Sequence, residues 1–487
     1  MSPAPRTLVL NVVGLTPALL AGMPRLKRWA DGQAQHALQP DLPAVTCTAQ
    51  ASMLTGRRPG TDATLGEGHG AVANGWYFRD LAEVWLWRQS VELITGAPDR
   101  GYPRGSASGA HAGAGQAGPA PIPTIFDRWR AAHPDSPSAQ LFWWWNLPSR
   151  ADLSLTPRPT YWADGRKGPD VHAFPGELRT RLTKDFGPFP LFQFWGPGAG
   201  IASSKWILDT ALDVLHHDRT GLTLVYVPHL DYDLQRFGPH GPEAEAAALE
   251  LDAALTPILD YAEAEGLRTI VLSEYGIDAV DRCCEPNRLL RERGWLQIHA
   301  AENGSLLDPG NSDAFAVCDH QLAHVYVKDP AKVEEVAAAL RELDGVGEVW
   351  TGEAIAKAGL AHARSGEIVL LAEAGNWFGY RYWNDEPEPD FARTVDIHRK
   401  PGYDPCELAF DPALSAPMAR AAFKLLKKKL GFRTVMNLIG MDTSVVRGSH
   451  GRPPSSAEHG PVWIGPAELA CVDDGVVQAH RALEAIV

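Results

Sequence analysis

TLVLNVVG, residues 7–14, is a short, continuous run of leucine and valine that stops at Gly14, and helix-forming sequence follows at once in LTPALLAGMPRLKRWAD (15–31). An apolar run without polar alternation reads as a strand buried on both faces, and a strand that feeds a helix opens an α/β sheet. The pattern returns in LTLVYVP (222–228), after the amphipathic SSKWILDTALDVLHH (203–217). It returns again in TIVLSEYG (269–276), after EAEAAALELDAALTPILDYAEAEG (243–266). Strands alternating with helices imply parallel pairing through crossovers. The expected fold class is therefore α/β, a mainly parallel sheet flanked by helices.

Ligands of such sheets sit beyond the carboxyl ends of the strands, so polar residues at the ends of the apolar runs are the first candidates for function. They are Asn11, Asp231 and Glu274. Strand ends also carry these residue types as turn formers and helix caps, so position alone assigns no role.

The chain has 487 residues, with 45 Lys+Arg against 59 Asp+Glu, a formal net charge of −14 and 45% hydrophobic residues. That excludes a small disulfide-stapled scaffold and argues against a nucleic-acid polymer as partner, since a phosphate-backbone binder needs a basic face. The six cysteines show no metal-type spacing, and Cys283 and Cys284 are adjacent, so reduced thiols are expected. The first apolar run is interrupted by Asn11 and is shorter than a signal-peptide core or a membrane span. A cytoplasmic protein without a membrane span is the expectation.

Texture changes along the chain set the expected domains. Residues 96–121 (GAPDRGYPRGSASGAHAGAGQAGPAP) lack apolar periodicity and read as a flexible surface insertion, with DATLGEGHGAVANG (62–75) as a smaller one. From 320 to 400, strand, helix, strand, helix and strand succeed one another, which reads as an inserted βαβαβ cap between core segments 1–319 and 401–487. FWWWN (142–146), FQFWG (192–196) and Trp76, Tyr77 and Phe78 serve either an apolar pocket or core packing. RAAFKLLKKKLGF (420–432) sets three lysines beside an apolar stripe, the pattern of a solvated helix face or of a helix lying on an acidic or membrane surface.

PAVTCTAQASMLTGRRPGT (43–61) is the most specific stretch. It places Thr46 and Thr48 in a loop just before a small-residue helix, whose N-terminus favours an anion. A threonine there is ordinarily an N-cap, but beside a metal ion its hydroxyl can attack phosphorus.

Taken in order, LNVVGLT, PAVTCTAQASMLTG, HLDYDLQRFGP, LSEYG and RGSHG resemble the alkaline phosphatase superfamily, in particular its type I phosphodiesterase and nucleotide pyrophosphatase branch with phosphonoacetate-hydrolase-like members. The resemblance covers most of the chain and implies a mixed, mainly parallel α/β core with a small α/β cap. It implies a pair of metal ions held by an Asp after the first strand, a nucleophilic Thr, an Asp-x-x-x-His, an Asp-His pair and a late His. Carried over, Thr46 falls on the nucleophile, Asp231 on the first residue of the Asp-x-x-x-His and His450 on the late histidine. Asn11 stands where Asp is expected, Gln235 where His is, Glu274 where Asp is and Tyr275 where His is. The phosphate-binding Asn three residues after the nucleophile is Ala49.

These departures leave an oxygen-rich set, which suits magnesium, manganese or calcium better than two tight zinc sites. One divalent ion (Zn, Mn, Mg or Ca) is the expected cofactor. His229, two residues before Asp231, would face the same side if the strand continued. His320 and His398 are further candidates, each with an ordinary structural reading. The expected function is metal-dependent hydrolysis of a small anionic phosphate ester, phosphodiester or phosphonate through Thr46. The alternatives are a binding protein that keeps the fold, and a sulfatase or phosphotransferase type of relative.

Overall fold

The computed structural model describes residues 5–96, 121–163 and 166–487. The insertion expected at 96–121 lies, apart from its end residues, outside the described residues. Among them, the central sheet has ten strands in the order Val472–Asp473, Val476–Gln478, Ala34–Gln39, Val462–Gly465, Arg268–Leu272, Thr7–Val12, Leu222–Val227, Ser138–Leu141, Leu153–Pro157, Val171–Phe174. The Thr7–Val12 strand lies at its heart, paired in parallel with Leu222–Val227 on one side and Arg268–Leu272 on the other. Ser138–Leu141 and Leu153–Pro157 continue the parallel set, while Val462–Gly465 and Val171–Phe174 run antiparallel.

Side-chain alternation divides the three core strands between two packed faces. Leu8, Leu10, Val225, Val227 and Val271 face the cluster formed with the helices Ile201–His217 and Pro242–Ala264. Val9, Leu224, Ile270 and Leu272 face a second cluster that runs without a break into the other large sheet of the molecule. Both faces are thus covered, as the unbroken apolar runs require. Gly14, with φ +79, turns the chain off the central strand where a Cβ would come within 3.3 Å of Leu234.

The region expected as a βαβαβ cap holds strands and helices in that order, but its strands are not parallel. Leu322–Val327 and Val346–Thr351 both pair antiparallel with Ile368–Ala372, so the last strand lies between the other two. The sheet also starts before 320, because Ala314–Asp319 forms a hairpin with Leu322–Val327. The tip of that hairpin, His320 and Gln321, reaches back to the carboxyl edge of the central sheet.

Residues 62–75 are not a surface loop throughout. His69 and Asn74 are buried, and Gly68 packs so closely that a Cβ would lie 2.4 Å from the carbonyl oxygens of Pro59 and Gly60. Glycine here serves close approach rather than freedom. Trp76, Trp143 and Trp145 are core residues, which favours packing over a pocket for the aromatic runs.

Leu10 is fully buried at the centre of the sheet. Leu10→Ala should lower the unfolding free energy by about 2–5 kcal/mol, read as a lower midpoint in urea denaturation.

Candidate active site

Three chain segments deliver polar groups to the carboxyl edge of adjacent parallel strands. Asn11 is the penultimate residue of Thr7–Val12, Glu274 and Tyr275 follow Arg268–Leu272, and Asp231 and Gln235 lie on the helix His229–Phe237, which begins just after Leu222–Val227. Asp231 and Gln235 are one helical turn apart, so both face the site.

Thr46 is the first residue of the helix Thr46–Thr55, and Val45 occupies the N-cap position without a side-chain cap bond. The ordinary reading of Thr46 as an N-cap therefore does not apply. Its hydroxyl lies 3.1 Å from the Tyr275 hydroxyl, which in turn donates to Asp231 Oδ1 at 3.3 Å. Thr48 is committed elsewhere, donating to the Ala71 carbonyl at 2.9 Å.

The four departures from the resemblance form hydrogen bonds with one another and with the matched residues. Asn11 Nδ2 donates to Glu274 Oε1 at 2.5 Å, and Gln50 Nε2 donates to the same oxygen. Gln235 Nε2 donates to Asp231 Oδ2 at 2.8 Å and is held by Tyr403, whose hydroxyl donates to Gln235 Oε1 at 2.7 Å.

Four aromatic rings are stacked through the site. Tyr275 lies on His450 with centroids 3.6 Å apart, His450 on His320 at 3.7 Å and His320 on Tyr403 at 3.6 Å. His320 has φ +58, a left-handed conformation unusual for a side-chain-bearing residue, at the tip of its hairpin. Its Nδ1 lies 2.7 Å from Asp319 Oδ1, and Asp319 is held by the backbone N–H of Asn74 at 2.6 Å. His320, one of the spare candidates, is therefore a site residue.

His229 and His398 are not. The strand ends at Val227 and a helix starts at His229, so residues two apart point in opposite directions rather than the same one. His229 packs toward Glu250, with Nε2 3.3 Å from its carboxylate. His398 is exposed and shares no hydrogen bond or ring contact with the cluster among the described residues. Sequence reasoning missed Gln50, Asn74, Asp319 and Tyr403. Gln50 carried a usable signal, since it lies four residues after Thr46 and so on the same helical face.

Burial dominates the electrostatics. Desolvation pushes the Asp231 carboxyl up to about 7 and the Glu274 carboxyl up to about 8, although the bonds from Gln235, Tyr275, Gln50 and Asn11 act the other way. The same desolvation holds the His320 and His450 imidazoles neutral, well below their ordinary value. His450 Nδ1 lies 2.8 Å from the Ala44 carbonyl and must carry the proton there, which leaves Nε2 as a lone pair.

Three buried atoms at the site have no hydrogen-bond partner: Asn11 Oδ1, Glu274 Oε2 and His450 Nε2. All three are able to accept, Glu274 Oε2 once its carboxyl is ionised, so a cation or a hydrogen-bond donor would satisfy them. His450 Nε2 and Asp231 Oδ1 are 3.8 Å apart, too far to hydrogen-bond and near enough to share one ion. Among the described residues, no group of three or more His, Cys, Asp or Glu side chains is arranged to hold a metal. The chemistry of the uncommitted atoms, two oxygens and one imidazole nitrogen, is that of acceptors able to face a divalent cation.

The sheet thus brings a threonine at a helix N-terminus together with two carboxylates at its carboxyl edge. The chain belongs to the type I phosphodiesterase/nucleotide pyrophosphatase family, whose model matches residues 7–404. That is a family of phosphoester and phosphodiester hydrolases. Among solved structures, the fold is similar to phosphonoacetate hydrolase from Sinorhizobium meliloti 1021 in complex with phosphonoformate, with TM-score 0.58, 15% identity and coverage of 99% of this chain and 95% of that one. It is similar also to murine ectonucleotide pyrophosphatase/phosphodiesterase 5, with TM-score 0.53, 13% identity and coverage of 98% and 93%. A comparison with curated proteins finds no match. Among the described residues, no helix is long and apolar enough to cross a membrane.

The burial of these groups sets the pH dependence of the metal-free protein. A carboxyl raised in the folded state binds a proton that the unfolded chain has lost, so stability falls as pH rises through about 7 for Asp231 and about 8 for Glu274. The neutral histidines act oppositely, and their stabilisation is lost as pH falls below their unfolded value of about 6.5. Chelator-treated protein should therefore lose stability as pH rises from about 6.5, where the histidine contribution is complete, to about 8, where the second carboxyl has ionised, and thermal melts over that range should show a decline that Glu274→Gln reduces. An undiminished decline in Glu274→Gln would contradict the assignment of that proton.

Proposed function

We propose that the protein hydrolyses small phosphate esters, phosphodiesters or phosphonates with Thr46 as the attacking nucleophile. The observation that carries the reading is the chain of hydroxyls from Thr46 Oγ1 through Tyr275 OH to Asp231 Oδ1. The Thr46 proton passes to the Tyr275 oxygen as the Tyr275 proton passes to Asp231, which leaves Thr46 Oγ1 free to attack phosphorus. The bond from phosphorus to the leaving oxygen or carbon then breaks, the leaving group takes up the proton that Asp231 received, and water later hydrolyses the Thr46 ester, restoring the threonine hydroxyl and releasing phosphate, or a phosphomonoester where the substrate is a diester.

Asn11 Oδ1, Glu274 Oε2, Asp231 and His450 Nε2 would hold a single divalent cation, which supplies positive charge for the attacking oxygen and the phosphoryl oxygens. Gln50 and Asn11 fix the rotamer of Glu274 by sharing its Oε1. Gln235, itself held by Tyr403, fixes Asp231. The His320 and Tyr403 rings exclude water from this side of the site. The position of His320 supports a role for the 320–400 unit in admitting and selecting substrate.

A second reading has an observation in its favour. The ring stack fills space beside His450, and Thr46 is only 4% exposed, as expected of a family member that binds a ligand without turning it over. Turnover decides between the two. A panel of aryl phosphomonoesters, phosphodiesters and phosphonates should be hydrolysed when magnesium, manganese, calcium or zinc is supplied, and activity should disappear with chelator.

Thr46→Ala should abolish that turnover by several orders of magnitude with little change in melting temperature, and Thr46→Ser should keep part of it. Tyr275→Phe keeps the stacked ring and breaks the proton path, so kcat should fall by about 10²-fold or more. An active Thr46→Ala enzyme would remove the covalent step.

A further inference from the structure

The helix Pro417–Lys429 is the one long amphipathic segment whose apolar side the fold leaves uncovered among the described residues. None of its residues is buried, and Phe423, Leu426 and Leu430 are 57%, 52% and 66% exposed. At about 100° per residue, these three share an arc flanked on one edge by Arg420 and Lys427. The bonds that hold the segment are local: Asp411 N–H donates to the Leu438 carbonyl where the excursion closes, and Lys424 donates to the carbonyl of Val435. In a chain of net charge −14, residues 412–441 carry six basic side chains and no acidic one. A solvated helix face accounts for the lysines, but it leaves the exposed leucines and phenylalanine without a reason.

The complement lies on the same molecule. Helices His229–Phe237 and Pro242–Ala264 enclose an open groove of about 510 Å³ whose floor is Ala246 and Ala247 and whose walls include Phe237 and Leu249, 51% and 53% exposed. Glu243 and Glu250 stand along it. These glutamates are seven residues apart, as are Arg420 and Lys427, so both pairs span two helical turns, about 10.5 Å. Small floor residues let a helix axis approach closely, and the flanking charges match in sign and spacing.

We propose that this groove receives the Pro417–Lys429 helix of a second copy of the chain. Phe423, Leu426 and Leu430 enter between Phe237 and Leu249, with Arg420 and Lys427 facing the two glutamates. Reciprocal exchange closes the contact as a two-fold dimer, since each copy presents one helix and one groove. The groove helix His229–Phe237 carries Asp231 and Gln235 on its other side, so the dimer contact braces the helix that supplies the site.

Sedimentation velocity of the full chain over a range of concentrations tests the proposal. The protein should form a reversible dimer. The variant R420E/K427E and the variant E243K/E250K should each weaken it at least about ten-fold, because each sets like charges face to face. The melting temperature of R420E/K427E should stay close to the parent's, since both side chains are at the surface, and because Glu250 also lies 3.3 Å from the buried His229 Nε2, E243K alone, which spares that contact, should weaken the dimer as well. Mixing the two variants, or combining all four changes in one chain, should restore dimerisation. A monomer at every concentration overturns the proposal, as does a dimer indifferent to both variants or a swap that fails to rescue. Binding of the monomer to phosphatidylglycerol vesicles through Arg420 and Lys427 would overturn it in favour of a lipid surface.

Discussion

Two carboxylates buried where their charge is disfavoured govern this molecule. Asp231 and Glu274 receive hydrogen bonds from uncharged amides and hydroxyls, and no Lys or Arg ion pair reaches either among the described residues. Each such group must hold a proton at neutral pH or face a cation, because isolated buried charge is too costly to keep. Oε1 of Glu274 is saturated by Gln50 and Asn11, which leaves Oε2 and Asn11 Oδ1 buried without a hydrogen-bond partner. His450 Nε2 is left the same way because the Ala44 carbonyl claims the imidazole proton.

The aromatic stack closes the side of the cluster that holds His450. Tyr275 takes the place where the family resemblance expects an imidazole, and it lies flat on His450 instead of offering a nitrogen. His320 and Tyr403 extend the pile of packed rings. Tyr275 also adds a function that histidine would not have in this position, a hydroxyl between Thr46 and Asp231.

Much of this was legible in the sequence, for identifiable reasons. A strand buried on both faces leaves an unbroken apolar run, and residues 7–14, 222–228 and 269–276 announce the centre of the sheet in that way. Asn11, Asp231, Glu274, Tyr275, Thr46 and His450 converge because each lies beside a strand end or a helix start, and Gln235 joins them one helical turn after Asp231. What was hidden depends on pairing across long sequence separations. Asn74 and Asp319 meet over a separation of 245 residues, and neither has a local pattern. The glycines of 62–75 look like flexibility until Pro59 and Gly60 are seen against them. His229 was misplaced because helix and strand assign opposite faces to residues two apart, and the strand stops at Val227, four residues short of Asp231. The antiparallel second sheet follows from a strand entering between its neighbours, which the order of elements does not encode.

The central claim is that Thr46 takes the phosphoryl group. Acid-quenched mixtures of metal-loaded protein and an aryl phosphate, digested and analysed by mass spectrometry, test it directly, because a threonine phosphate ester survives acid. The account predicts a phosphoryl increment on the peptide that contains Thr46, formed early and lost as substrate is exhausted. Sustained turnover with that peptide unmodified at every quench time would contradict it.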